Sequence, residues 1–297
     1  MKLKNSTKKR ILMLSMLLIF TVSASGCRIP MDENGQILQI TTDTTFKEIM
    51  STESWFSAIF VWPLSQLLNV VAPKIGVGMG IALVTILVNL VLLAVTLRST
   101  IQMQQMQLIQ PQLERIQRKY EGRDDDASRM RQANEMNALY KKYNVNPLSS
   151  ILITFIQFPI IIAMYQAVQR SAAVKTGTFL GLSLAQTPMQ GVKEGQYLYI
   201  LIWLVMGAIQ FVSMMLPQKI AERKAKAEAE KHHRRPEKPK NNNMMMNIYM
   251  MGMIMVFGLM WPTAMTVYWA INSIVNIVKT LLVQKIIDKQ KQEGAVK

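Results

Sequence analysis

Residues 78–97 read GMGIALVTILVNLVLLAVTL, 20 residues without one charged side chain. As a helix rising ~1.5 Å per residue this stretch is ~30 Å long, the thickness of a bilayer's hydrocarbon core. Working outward, four more apolar runs follow: Leu148–Val168, Tyr197–Leu216, Met244–Met260 and Thr263–Val283. Trp261 and Pro262 separate the last two, and proline there breaks a helix, so these residues read as a tight hairpin of two spans. The fourth run is short and methionine-rich. Half of the 297 residues are apolar and mean hydropathy is +0.17, because the apolar residues are gathered into these runs. The fold class is therefore an all-α membrane protein with five transmembrane helices in a core over 78–283.

The charges orient the spans. Net charge is +16. Residues 98–146, 218–243 and the tail from Lys279 together carry 23 lysines and arginines, against six in the segments on the alternate side. Lysine and arginine collect on the cytoplasmic side, so the N-terminus is expected outside and the C-terminus inside. That sorting accounts for the net charge without DNA as a partner.

The beginning of the chain agrees. Lys2, Lys4, Lys8, Lys9 and Arg10 precede the apolar stretch 11–22, and then come Ala24, Ser25, Gly26 and Cys27. Residues 1–26 have the layout of a lipoprotein-type signal peptide, with Cys27 as the acylated residue. A conventional cleavage, or an uncleaved signal with an idle cysteine, is the alternative. One cysteine excludes an internal disulfide framework. Residues 27–54 form an extracytoplasmic N-terminal segment. Over 55–75, Trp55, Phe56, Phe60, Trp62, Leu67 and Leu68 predict an amphipathic helix in the outer interface.

Two cytoplasmic segments have their own patterns. Within 98–146, Leu113, Ile116 and Tyr120 recur at helical spacing, as do Met136, Leu139, Tyr140 and Tyr143. The polar stretch 121–128 lies between them, which predicts a helical hairpin. Loop 218–243 begins as an extension of the third span and ends in polar low-complexity sequence; 284–297 is a cytoplasmic tail. His232 and His233 have no carboxylate or cysteine at ligand spacing, so no metal site is expected, nor any cofactor.

Polar residues recur inside the spans, where they face protein or water. Thr85, Asn89 and Thr96 fall on one stripe of the first span, and Ser150, Thr154 and Gln157 on one of the second. Tyr268, Asn272, Asn276 and Lys279 form a third on the fifth span, and the third span adds Gln210. The stripes read as the lining of a hydrated groove; ordinary interhelical hydrogen bonding is the alternative for any single residue. No acid–base pair, phosphate loop or nucleophile–histidine arrangement accompanies them, so no enzyme is expected.

Several motifs resemble the YidC family of membrane-protein insertases. These are Tyr140-Lys141-Lys142 followed by Val145-Asn146-Pro147-Leu148, then Gln157-Phe158-Pro159, then Trp261-Pro262-Thr263-Ala264, Tyr268-Trp269 and Asn272. Gln110-Pro111, Phe179-Leu180 and the lipoprotein-type signal fit as well, and the resemblance covers about 55–285. It implies insertion and folding of nascent membrane proteins through a groove open to the cytoplasm and to lipid, without ATP. The implied lining is Asn89, Gln157, Gln210, Asn272, Asn276, Thr85, Thr154 and Tyr268. Ungapped alignment places Asn89 where the family has a groove arginine, and Lys279, often glutamine there, becomes a candidate cation at the groove's mouth. Implied partners are nascent membrane-protein substrates and the lipid bilayer, with ribosome and secretion translocon at the basic cytoplasmic segments. A membrane chaperone or assembly factor without translocation is the competing reading. A small-molecule transporter is a third, and it predicts an internal repeat that the sequence lacks.

Overall fold

The structure is a computed structural model that describes residues 29–231, 233 and 242–295. The basic leader, Cys27, His232 and residues 234–241 lie outside that set, as do the side chains of residues 148–152 and 154. Ten α-helices follow in order among the described residues. They are α1 (Phe46–Thr52), α2 (Trp62–Ile75), α3 (Val77–Lys119), α4 (Asp126–Lys142), α5 (Leu148–Arg170), α6 (Ala172–Thr176), α7 (Pro188–Lys193), α8 (Leu198–Lys231), α9 (Asn242–Met260) and α10 (Thr263–Ala295). A π-helical turn, Ser57–Val61, leads into α2, and two-residue strands β1 (Thr178–Phe179) and β2 (Leu182–Ser183) pair antiparallel. The protein is all-α.

Four helical stretches are long and apolar enough to cross a membrane: Ser57–Ile75, Val77–Lys119, Leu198–Lys231 and Thr263–Gln290. The first lies within the stretch 55–75 expected in the interface; its length and composition suit a crossing too. The apolar part of α9, Asn247–Met260, is shorter. Large apolar side chains such as Leu90, Val91 and Val95 on α3, and Leu201, Leu204 and Phe211 on α8, stand exposed. Such a belt is costly in water and satisfied in lipid. Helix α3 continues for 43 residues, through the membrane run and on into the first arm of the hairpin. Residues 97–110 contain neither glycine nor proline and are rich in Gln, Met and Leu, so nothing ends the helix at the membrane surface. Pro111 lies inside it without ending it.

The chain divides into two compact units, residues 1–84 with 156–186, and 85–155 with 187–297. In the first unit, residues 38–53 form a strap fastened by hydrogen bonds. Ile40 makes a parallel bridge with Ser171, its N–H donating to the Arg170 carbonyl at 2.6 Å. The Asn69 amide, buried on α2, donates to the Ile40 carbonyl at 2.6 Å and accepts from the Ser171 hydroxyl at 2.7 Å. Trp62 Nε1 and Gln66 Nε2 both donate to the Thr44 carbonyl of the strap. Arg170 Nη1 and Nη2 take the two oxygens of Glu53 at 2.7 and 2.5 Å, and its Nε donates to the Leu38 carbonyl.

In the second unit α8 and α10 pack along each other. The α9–α10 turn at Trp261-Pro262 is the predicted hairpin, closed by Met265 N–H to the Pro262 carbonyl and by Thr266 Oγ1 to the Gly258 carbonyl. Phe257, Trp261 and Trp269 stack at 5.3 Å centroid spacing beside it. The hairpin formed by the end of α3 with α4 is present as expected. Ile109, Leu113 and Val145 are its buried centre, with Met106, Met136, Leu139, Tyr140 and Tyr143 packed on them. Asp125 caps α4 by accepting from the Ser128 N–H at 2.8 Å.

Candidate functional site: a polar stripe among the second unit's helices

An amide side chain in a membrane bundle seeks a partner, because none is available in hydrocarbon. Asn89 lies near the middle of α3's apolar run and is buried. Its Nδ2 donates to the Thr85 carbonyl one turn back at 2.9 Å and to Asn272 Oδ1 of α10 at 3.0 Å. One turn thereby bonds α3 to α10. The next residue of α10, Ser273, donates to Gln210 Oε1 of α8. Asn272 and Ser273 point to different neighbours because successive helical positions are ~100° apart. Three spans are thus connected at one level by carboxamides and a hydroxyl, all neutral.

Thr85 is fully buried and Tyr268 nearly so, whereas Asn272, Asn276 and Gln210 are partly exposed. Burial is thus greatest at Thr85 and Tyr268, one turn before Asn89 and Asn272 on their helices. Lys279, partly exposed, follows on the same face of α10, about two turns beyond Asn272. Thr96 donates back to the Leu92 carbonyl at 2.6 Å and Thr100 to that of Thr96 at 2.9 Å, so their hydroxyls are occupied by their own helix.

Of the residues expected from the sequence, Asn89, Thr85, Gln210, Asn272, Asn276 and Tyr268 belong to the second unit. Gln157 belongs to the first unit, partly exposed on α5, and the Thr154 side chain lies outside the described set. Sequence reading missed Ser273, which lies beside the α10 stripe and not on it. It also missed the Arg170–Glu53 pair, whose members are 117 positions apart and carry no local signal. Among the described residues no group of three or more His, Cys, Asp or Glu could hold a metal ion.

Comparison with known proteins decides the family. The 60Kd inner membrane protein family model matches residues 69–291, three quarters of the chain, which contain α3 to α9 whole and most of α10. The chain belongs to the YidC family of 60Kd inner membrane proteins. It is 36% identical over 208 residues to "Membrane protein insertase YidC 1" of Streptococcus pyogenes serotype M3, covering 70% of this chain and 66% of that protein. It is 27% identical to "Membrane protein insertase YidC 2" of Bacillus anthracis, covering 93% and 94% of the two chains. It is 29% identical to "Membrane protein insertase MisCA" of Bacillus subtilis (strain 168), covering 93% and 92%. Membrane protein insertion is the activity for which these YidC-family relatives are named. Family membership and the apolar helices make this chain a membrane-embedded protein.

Proposed function

We propose that this YidC-family chain inserts nascent membrane proteins into the bilayer and helps them fold. The observation that carries the reading is the neutral polar stripe, Asn89–Asn272 and Gln210–Ser273, built across three apolar helices. A stripe of carboxamides lets a polar client segment exchange water for protein hydrogen bonds part-way through the membrane. That lowers the cost of its crossing. Apolar client segments leave sideways into lipid. Asn89, Gln210, Asn272 and Asn276 act as the lining, Thr85 and Tyr268 as its closed end, and Lys279 as the cation at its mouth. The family resemblance adds Gln157 and Thr154 of α5. Cys27 is acylated after removal of residues 1–26. Five spans place the hairpin and tail in the cytoplasm, where their basic surfaces meet ribosome or translocon, and 55–75 lies in the outer interface. The binding step needs no catalytic residue.

The test is replacement. Cells depleted of their other insertases are supplied with this chain, and insertion of a single-span client is followed by protease protection. Recovery is expected, with photocrosslinks from position 89 to the nascent client. Crosslinks without insertion would instead identify a chaperone that holds clients and does not translocate them. Neither crosslinks nor recovery would remove the reading altogether.

A further inference from the structure

The motif Tyr140-Lys141-Lys142-Tyr143-Asn144-Val145-Asn146-Pro147 takes no part in the polar stripe. Its backbone is a helix ending. Asn144 has φ of 50°, its N–H bonds the Lys141 carbonyl at 3.1 Å, and the Val145 N–H reaches the Tyr140 carbonyl at 2.9 Å. This is the Schellman pattern, with asparagine in the left-handed position and an apolar residue after it. Val145 turns into the hairpin's core. The turn leaves Asn144 and Asn146 outside, on the rim of a cleft of about 360 Å3. Gln102, Asn137, Tyr140 and Lys141 also line it, with Val145 and Pro147 as its apolar part.

The depth of this cleft follows from the chain. Gln102 is four residues past Arg98, where α3's apolar run has just ended, and Pro147 immediately precedes α5. Both walls are therefore within about 6 Å of a hydrocarbon edge, at the level of lipid headgroups. The charge is of one sign: neither 98–113 nor 136–147 contains an acidic residue, while Arg98, Lys141 and Lys142 are present. The other polar groups are mainly carboxamides, which both donate to and accept from hydroxyls. The volume is at the small end for a ligand site, suited to a headgroup and not to a whole lipid. RNA would call for a stripe of cations along its backbone, and this cleft has one lysine in its wall.

We propose that this cleft binds the phosphoglycerol headgroup of phosphatidylglycerol, with Lys141 at the phosphate and Gln102, Asn137, Asn144 and Asn146 at the hydroxyls of the headgroup glycerol. On the cytoplasmic placement of the hairpin, the lipid belongs to the inner leaflet. A bound headgroup fastens the hairpin's base to the membrane surface while its tip stays in water. This assignment stands whether or not the chain inserts clients.

The full chain is placed in nanodiscs of equal phosphatidylglycerol and phosphatidylcholine, and the lipid that stays bound on release is counted by native mass spectrometry. One phosphatidylglycerol per chain is expected, in preference to phosphatidylcholine. Lys141→Glu is expected to lower that retention about thirtyfold, the scale of a two-unit charge change at a membrane surface. Arg131→Glu, the same charge change about 15 Å away along α4, leaves it unchanged. Asn137→Leu lowers it several-fold without altering charge, with helicity by circular dichroism confirming that each variant is folded. Equal retention of the two lipids overturns the proposal, as does an equal loss in Arg131→Glu. Displacement of phosphatidylglycerol by inorganic phosphate at matched concentration overturns it in favour of a soluble anion.

Discussion

Arg170 and Glu53 show what a single buried pair contributes. Their side chains are 1% and 8% exposed, and three guanidinium nitrogens have acceptors in Glu53 and the Leu38 carbonyl. Burying two charges is costly, and their attraction roughly offsets that cost, so the intact pair adds little net stability. Removing one partner is different, because the other charge stays buried alone. Glu53→Ala is expected to destabilise the strap by about 3–5 kcal/mol, read as faster hydrogen exchange at Ile40 and Ser171. Adding Arg170→Met should recover most of that loss. If the double variant exchanged as fast as Glu53→Ala alone, the pair would be a source of net stability and this account would be wrong.

At the scale of elements, sequence periodicity carried far in some places and not in others. The hairpin was legible because Leu113, Met136, Leu139, Tyr140 and Tyr143 repeat at helical spacing, and all of them pack in its core or on it. The α9–α10 break was legible from Pro262. The unbroken course of α3 was not, since a change from apolar to amphipathic composition does not by itself end a helix. Two predictions belong here. Asn144 tolerates φ of 50° because its short polar side chain permits the left-handed region, whereas a β-branched residue there is strained. Asn144→Val should destabilise the hairpin by about 1–2 kcal/mol and Asn144→Gly should leave it unchanged or slightly firmer, by thermal melting. The second concerns pH. The Lys119 side-chain hydrogen bond, then that of Tyr120, holds the Glu135 carboxyl below its ordinary range, and the same bond from Glu135 raises the Lys119 ammonium. Asp125 is likewise held low by Ser128. Carboxylates with lowered values stabilise above their ordinary pKa and lose that contribution as pH falls through the folded value. The raised lysine stabilises below its ordinary value and loses that contribution only in strong alkali. Protection of the 119–128 amides, corrected for intrinsic exchange, should be level from about pH 5.5 to 9 and fall in acid below about pH 4. Lys119 is largely exposed and Glu135 partly so, and salt should weaken the effect.

Across the whole molecule, the apolar runs were enough for the class, and motif spacing for the family. The strap of the first unit was not foreseeable, because Arg170 fastens it through the Leu38 carbonyl and the Glu53 carboxylate, 132 and 117 positions away in sequence. The polar stripe was foreseen as a set of faces, and the second unit brings Asn89, Asn272 and Gln210 into one bonded level. What the sequence did not disclose is that Asn89 spends its amide on Asn272 and so leaves that level neutral. The consequence concerns clients. Between Thr263 and Asp288, α10 has no acidic residue, and Lys279 is the first cation on the stripe's face. A polar but uncharged client segment needs only carboxamides to cross. On the proposed function an acidic one needs a cation while it is leaving water, and Lys279 is our candidate for it. Lys279→Gln should therefore slow insertion of clients with acidic residues in the translocated stretch about fivefold, the equivalent of ~1 kcal/mol per charge. Matched clients with those residues changed to their amides should insert at the original rate. An equal slowing of both client sets would assign Lys279 to packing or to the membrane surface and leave the stripe without a charged member.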